Sequence, residues 1–291
     1  MPMHCDPSYP RRRFLAGALV AAATGWLPGA VRAGERPVFA IVPYLPARRL
    51  VGFYSPLLPV IEGVLGQKVD LASAPNYAEH LVRMRAGAYD IVADAMIHAR
   101  LAQRELGHVP LVRTQAPLEP VLVVRADVPE KSLKDFKWGA VAIAVTDRVA
   151  SLGVIGLRFL RDAGRIAGRD FRLVTTGTHA NSLQRLLAGD VEAAIVSRTT
   201  LAQVDAALAA KVRVLMPLGR GLAAVIYHVS PRLAHKAEAL SRALFDFAAQ
   251  PSGQTFIASL GHQGLVPVTD AEMQGIDPLV VELYRQMHEE S

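Results

Sequence analysis

From residue 38 onward, short apolar runs alternate with longer stretches in which apolar residues recur at helical spacing. Such runs are typical of strands buried on both faces, and such stretches are typical of helices that cover a sheet. The first half of the chain predicts strands at 38–42, 68–71 and 89–93 and helices at about 50–65, 77–87 and 97–106. Strands that alternate with helices in this way predict an α/β fold with a mostly parallel sheet.

The second half repeats the alternation and ends in helices. It predicts strands at 140–145, 171–174, 191–196 and 212–215, helices at 151–163, 179–189 and 200–209, a long helix from Ser230-Pro231 to Ala249, and two more helical segments. Two such halves are the size of two small α/β lobes.

Two β-branched runs, 121–127 and 223–229, are placed to cross between these halves. We therefore predict two lobes joined by two hinge strands, each lobe a mostly parallel sheet flanked by helices. Lobe 1 comprises residues 34–119 and 222–291, and lobe 2 comprises residues 120–221.

Two of the predicted helices begin and end alike. Asn76 and Thr178 are favourable N-cap residues, and Gly87 and Gly189 follow as stop signals at the same distance. The N–H groups and the dipole at such a start favour an anion. Either both lobes present a helix start to a shared cleft, or two short helices that end in glycine are alike by coincidence.

The N-terminal segment has the features of an export signal. Arg11-Arg12-Arg13 precedes an apolar run from Phe14 to Leu27, and Val31-Arg32-Ala33 offers small residues for cleavage after Ala33. The arginines resemble a twin-arginine signal. A membrane anchor is disfavoured because the run is short and is interrupted by glycine and proline. We predict that residues 1–33 are removed and that the mature protein is soluble and periplasmic.

Composition narrows the possible functions. The one cysteine, Cys5, lies within the signal, so the mature chain has no disulfide, thiolate metal site or cysteine nucleophile. Without the four arginines and one aspartate of the signal, 28 basic residues face 25 acidic ones, a mild charge of about +3. No basic run in the mature chain is typical of a nucleic-acid footprint.

In this arrangement the chain resembles the type II periplasmic solute-binding proteins, and more narrowly the phosphate, phosphite and phosphonate binders of ABC transporters. The likeness covers almost the whole mature chain. It is carried by the order and spacing of Val38-Phe-Ala-Ile-Val-Pro-Tyr44, Gly87-Ala-Tyr-Asp-Ile-Val92, the turn 147–153 with its helix to Gly164, Thr176-Gly-Thr-His179 and Gly189-Asp-Val-Glu192. The resemblance implies two lobes that close on a small anion, with no chemistry performed and no cofactor.

The resemblance also implies where the ligand binds. Tyr44 matches an aromatic residue at the edge of the cleft. Thr178 and His179 match a turn that binds phosphonate oxygens. The turn Ser151-Leu152-Gly153 falls where the family offers hydroxyl and N–H groups at a helix start.

Four further residues are candidates with open alternatives. Tyr77 follows the first cap and either faces the cleft or packs in the core. Asp94 and His98 flank the end of a strand, where open α/β sheets bind ligands, but both also suit a helix start. Arg198 stands where the family has an acidic or amide residue; an arginine there would repel an amine and favour a second oxyanion contact. The sequence therefore predicts a small oxyanion or carboxylate as the ligand.

Other classes of function compete with this one. A cofactor-binding enzyme on the same scaffold is one alternative, because a twin-arginine signal exports folded chains. Against an enzyme, the chain has no serine nucleophile motif or glycine-rich phosphate loop, and the histidines of the mature chain are scattered without metal-ligand spacing. A protein whose cleft has degenerated is a third possibility. As a binding protein, it is expected to be a monomer whose partner is either a membrane permease or the sensor domain of a signalling kinase.

Overall fold

The computed structural model describes residues 36–115, 117–203, 205–219 and 222–288. The predicted export signal, residues 1–33, lies outside them. Within this part of the chain the strands are β1 (Val38–Ile41), β2 (Asp70–Ser73), β3 (Ile91–Asp94), β4 (Val109–Thr114), β5 (Pro117–Leu118), β6 (Pro120–Arg125), β7 (Val141–Val145), β8 (Phe171–Thr175), β9 (Ala193–Ser197), β10 (Val212–Pro217), β11 (Leu222–Ala223), β12 (Ile226–Val229) and β13 (Leu265–Pro267).

The helices of the described residues are α1 (Ala47–Tyr54), α2 (Leu58–Leu65), α3 (Tyr77–Arg85), α4 (Met96–Leu106), α5 (Ser151–Asp162), α6 (His179–Ala188), α7 (Arg198–Gln203), α8 (Ala206–Ala209), α9 (Ala237–Ala249), α10 (Pro251–Ser259), α11 (Asp270–Gly275) and α12 (Asp277–His288). None of them combines the length and hydrophobicity that crossing a bilayer requires.

The two predicted helix starts are confirmed. Asn76 accepts a hydrogen bond from the Glu79 N–H at 2.8 Å and begins α3. Thr178 accepts from the Asn181 N–H at 3.1 Å and begins α6. At the other ends Gly87 and Gly189 have positive φ angles of 70° and 80°, a conformation in which glycine has no steric penalty.

The first sheet has the strand order β13-β4-β12-β3-β1-β2. β1 pairs in parallel with β2 and β3, whereas β12 runs antiparallel to β3 and β4, and β13 runs antiparallel to β4. We call the part of the protein built on this sheet lobe 1. The pattern analysis missed β4 and β13, whose short runs are interrupted or ended by prolines.

The second sheet has the strand order β10-β6-β9-β7-β8, and the part built on it is lobe 2. β7 pairs in parallel with β8 and β9, while β6 lies antiparallel to β9 and β10. Each sheet therefore has the expected core of parallel strands, into which reversed strands are inserted. β6 enters lobe 2 from lobe 1, and β12 enters lobe 1 from lobe 2. Each of them runs antiparallel to the parallel strands of the lobe that it enters.

Two short strands lie between the sheets. β5 pairs antiparallel with β11, Leu118 opposite Leu222 and Pro117 opposite Ala223. The predicted crossing runs are thus divided: most of the first becomes β6 in lobe 2, and most of the second becomes β12 in lobe 1. The crossing itself is made by β5 and β11, which lie between the six-stranded and five-stranded sheets.

The C-terminal helix α12 makes a third connection between the lobes. Its Asp277 binds Arg100 of α4 in lobe 1, with the Arg100 Nε 2.8 Å from Oδ1. Its Glu282 has a fully buried side chain and accepts from Arg161 of α5 in lobe 2, with Nη2 2.8 Å from Oε1. A hydrophobic cluster that includes Ile97 and Val154 also crosses between the lobes. In this structure the lobes are therefore packed together.

Candidate functional site

A cavity of about 190 Å³ lies between the lobes beside the hinge strands. Its wall comes from lobe 1, from Pro117 and Leu118 of the hinge, and from lobe 2. In both lobes many of the lining residues lie at or just after the carboxyl ends of parallel strands, the edge at which open α/β sheets place their ligands. Of the described residues that line the cavity, none is a lysine, an arginine, an aspartate or a glutamate.

Helix starts from both lobes reach this cavity. Tyr77 at the first position of α3 and Ala95 at the cap of α4 contribute from lobe 1. Ser151 of α5 and His179 of α6 contribute from lobe 2. Each helix directs N–H groups and the positive end of its dipole out of its first turn. These helix starts favour an anion in the cavity, although none of the described lining residues is a lysine or an arginine.

The start of α5 has no capping side chain. Its cap residue is Ala150, and the Val154 N–H makes a helical hydrogen bond to the Ala150 carbonyl at 2.9 Å. The N–H groups before Val154 therefore have no partner within the helix. The Ser151 hydroxyl is also buried without a hydrogen-bond partner among the described residues. This turn offers several hydrogen-bond donors to an anion.

Gly153 fixes the position of that turn. A Cβ at this residue would lie 2.1 Å from the Asp147 carbonyl oxygen and 3.0 Å from the Arg148 carbonyl oxygen. The Asp147 carboxylate in turn accepts from the Val149 N–H at 3.0 Å. Gly153 does not itself line the cavity, but its missing side chain lets the preceding loop pack against the helix.

His179 lies within hydrogen-bond distance of the neighbouring strand end, with Nδ1 2.9 Å from the Thr146 hydroxyl. Burial lowers the pKa of His179 to about 4, so the ring is neutral at pH 7. With Thr146 as the donor to Nδ1, the neutral ring carries its proton on Nε2. His179 can then donate to an anion at neutral pH.

We expect acid to destabilise the fold through His179 and His262, the second histidine of the cavity wall. Burial lowers both pKa values to about 4, from 6.5 in an exposed histidine. Because the unfolded chain binds these protons more readily, this contribution to stability is complete above about pH 6.5 and is lost towards about pH 4. Melting temperatures between pH 7 and 4 should fall less steeply for His179→Gln than for wild type; equal slopes would contradict the assignment.

The two predicted tyrosines both line the cavity. The Tyr44 hydroxyl lies 3.3 Å from that of Tyr54, and burial raises the pKa of Tyr44. Burial, with Asp147 and Asp94 nearby, raises the pKa of Tyr77 as well. Both groups therefore stay protonated at neutral pH and can act as donors.

Asp94 lies in the interior of lobe 1 and not in the cavity wall. Its side chain is fully buried, with the His80 Nε2 at 3.1 Å from Oδ2 and the His98 Nδ1 at 3.1 Å from Oδ1. Burial opposes its ionisation, yet the charges of His80 and His98 hold the pKa of Asp94 well below its usual value. The Nε2 of His98 lies 2.8 Å from the Val149 carbonyl oxygen in lobe 2, so His98 links the two lobes.

The other predicted residues divide between the wall and its surroundings. Ser151 and Leu152 line the cavity, whereas Thr178 caps α6 from outside the lining. Arg198 is half exposed, and its Nε lies 3.0 Å from the carboxylate of Glu119. Arg198 is therefore not among the described residues that form the cavity wall.

Sequence reasoning missed several lining residues. Thr146, Ser197 and Thr199 follow strand ends and could have been found by that rule. His262 comes from the segment after α10, and no pattern in the sequence connects this segment with the lobes.

The sequence matches one family model over residues 39–273, described as ABC transporter, phosphonate, periplasmic substrate-binding protein. No curated protein is similar enough to count as a match.

Several solved structures share the fold. A binding protein component of an ABC phosphonate transporter from Pseudomonas aeruginosa aligns with a TM-score of 0.72 at 18% identity, covering 87% of this chain and 88% of its own. PhnD1 of Prochlorococcus marinus in complex with methylphosphonate gives 0.73 at 11% identity, covering 86% and 98%. A Xanthomonas citri protein bound to chloride gives 0.71 at 16% identity, covering 87% and 99%. These likenesses establish the two-lobed type II periplasmic binding fold.

Proposed function

Because the chain belongs to the phosphonate periplasmic substrate-binding family of ABC transporters, we propose that it captures a small oxyanion of the phosphonate, phosphite or phosphate type between its lobes. The proposal includes export to the periplasm by residues 1–33 and delivery of the ligand to a membrane permease. It involves no chemical conversion of the ligand.

The observation that carries the proposal is the convergence of helix starts from both lobes on one cavity. The hydroxyl groups of Tyr44, Tyr77, Thr146 and Ser151 and the two histidines surround the same space. A cavity of about 190 Å³ has room for a tetrahedral oxyanion together with a substituent. N–H and O–H donors stabilise the ligand charge without a lysine or arginine.

The lining also favours a particular substituent. No carboxylate lies among its described residues, so the amine of an aminoalkylphosphonate would lose hydration without gaining an ionic partner. Val42, Leu118 and Leu152 offer apolar contacts instead. We therefore propose an unsubstituted oxyanion or a small alkylphosphonate as the ligand. The sequence predicted a small oxyanion or carboxylate, and it also predicted a contact to Arg198, which this proposal does not include.

Capture is proposed to occur by closure of residues 34–119 and 222–291 against residues 120–221. An anion that contacts helix starts in both lobes binds the closed arrangement better than the open one, and only that difference can shift the equilibrium. Thermal-shift and calorimetric titrations with phosphate, phosphite, methylphosphonate, sulfate and aminoethylphosphonate test the ligand class. Stabilisation by none of these anions would contradict the proposal.

Replacing His179 with alanine is expected to weaken binding of the best anion in this panel roughly ten- to a hundred-fold. The variant loses a hydrogen bond to a charged group, worth about 1.5–3 kcal/mol. Isothermal titration calorimetry measures the change, with a melting curve to verify folding. His235→Ala, at an exposed histidine, is the matched control and should bind like wild type. Unchanged affinity of His179→Ala would remove this residue from the site.

A further inference from the structure

Three histidines that are scattered along the sequence surround Asp94 inside lobe 1, and a fourth lies behind one of them. His80 comes from α3, His98 from α4 and His228 from β12, and all three are fully buried with Asp94. β12 brings His228 here because it pairs with β3 and places His228 opposite Val92, two residues before Asp94. The fourth, His108, lies behind His228.

We propose that His80, Asp94, His98 and His228 form a binding site for a divalent transition metal ion, with Zn²⁺ as the best match. The Asp94 carboxylate lies 3.1 Å from His80 Nε2, 3.1 Å from His98 Nδ1 and 3.6 Å from His228 Nε2. Ligand atoms about 2.0–2.1 Å from a tetrahedral zinc ion are about 3.3–3.4 Å from one another. The ligand atoms of His80, Asp94 and His98 all lie within 4.8 Å of one another, so small side-chain rotations bring them to these positions.

Two of the three histidines, His98 and His228, have the outer hydrogen-bond partners that are typical of metal ligands, whereas the Nδ1 of His80 is buried without one among the described residues. A histidine that binds a metal through one ring nitrogen usually uses the other in a hydrogen bond that fixes the ring. His98 directs Nε2 to the Val149 carbonyl oxygen at 2.8 Å, which leaves Nδ1 facing Asp94. His228 has Nδ1 2.8 Å from the Nδ1 of His108, which leaves Nε2 facing Asp94. Asp94 itself accepts from the Ala95 N–H at 2.7 Å.

One ligand atom has no other partner. The Nε2 of His228 is buried and makes no hydrogen bond within the described part of the chain. A buried polar atom left in this state costs about 1–3 kcal/mol. Coordination of a metal would satisfy this atom, and on His98 the ion would take the place of the Nδ1 proton.

The donor set selects the kind of ion. Three imidazole nitrogens and one carboxylate oxygen suit Zn²⁺ and its neighbours in the first transition row, whereas Ca²⁺ and Mg²⁺ prefer oxygen ligands. Four protein ligands complete a tetrahedron and leave no position for a substrate, which is the arrangement of a structural site. Through His98 and Val149 the ion would brace the loop before α5, and so one wall of the anion cavity.

The test measures metal content directly. Because all four ligands are buried, the protein is unfolded with chelator, refolded with or without one equivalent of ZnCl₂, and freed of loose metal by gel filtration. We expect one zinc per chain by plasma mass spectrometry, a higher melting temperature, and zinc-edge X-ray absorption from nitrogen and oxygen ligands alone. Less than a tenth of an equivalent of retained zinc, or zinc without a gain in melting temperature, would overturn the proposal.

Variants separate this site from adventitious binding. His228→Gln and Asp94→Asn should each lower retained zinc at least ten-fold, while the exposed-site control His235→Ala retains a full equivalent. If a variant does not fold, the visible absorption spectrum of Co²⁺ bound to the wild-type protein is measured instead. The bands of tetrahedral Co²⁺ are expected. Octahedral Co²⁺ bands, or folded variants with full zinc content, contradict the site. None of these outcomes depends on which anion the cavity binds.

Discussion

Replacing Gly153 with alanine is expected to abolish measurable anion binding and to lower the free energy of unfolding by about 1–3 kcal/mol. The new Cβ would lie 2.1 Å from the Asp147 carbonyl oxygen, a backbone atom that cannot rotate away. Relief of this overlap must move the turn at 147–149 or the start of α5. Either movement displaces Ser151 and Leu152 in the cavity wall, so binding and stability should be lost together.

The matched control for this experiment is Gly63→Ala. Gly63 lies in α2 on the surface, and a Cβ there would meet no atom within 4 Å. Alanine should stabilise that helix by about 0.5–1 kcal/mol and leave anion affinity unchanged. Calorimetry and urea unfolding measure both effects. Wild-type affinity in a folded Gly153→Ala protein would show that the start of α5 does not bind the ligand.

Replacing Glu282 with alanine is expected to cost about 3 kcal/mol of stability, near the lower end of the range for breaking a buried ion pair. Its side chain is fully buried and accepts from Arg161, Arg285 and Gln286 at 2.7–3.2 Å. Removing the carboxylate leaves two guanidinium groups without their shared partner. Because both arginines are partly exposed, water recovers some of the loss.

The control here is Glu238→Ala. Glu238 pairs with Arg242 one turn along α9, and both side chains are largely exposed. Exposed pairs of this spacing contribute about 0.3–0.5 kcal/mol, so the control should unfold almost like wild type. Urea denaturation gives the free energy of unfolding of both variants, and the two values are compared at equal m-values. A cost for Glu282→Ala no larger than that of the control would mean that α12 does not hold the lobes together.

The local structure could be predicted where one short signal decides it. The caps Asn76 and Thr178 and the stop residues Gly87 and Gly189 each act within a few residues of their own position, and all were found from the sequence. Two binding lobes and the residues Tyr44, Tyr77, Ser151, Leu152 and His179 of the cavity wall followed from the same signals and from the family resemblance. What the cavity binds remains a proposal.

Features that depend on distant partners could not be predicted. Arg198 was expected in the cavity, but the carboxylate of Glu119 in the hinge region binds it outside the wall. The histidines around Asp94 showed no ligand spacing because the pairing of β12 with β3, which no local pattern encodes, brings His228 to them. The reversed direction of β6 and β12 has the same origin, since each enters its sheet from the other lobe.

The short ladder of β5 and β11 also sets the kind of motion available to this molecule. Among the described residues two pairs form it, and one of them contains Pro117, which has no N–H to donate. Because so few hydrogen bonds join β5 and β11, the two strands offer little resistance to twisting. Since each strand continues into a separate sheet, the pair does resist sliding of one lobe past the other. In the closure proposed above, the lobes would therefore rotate about one axis at these hinge strands, beside the cavity. Each lobe would rotate as a rigid body. Ligand binding would then change the angle between the lobes and leave the surface of each lobe unchanged.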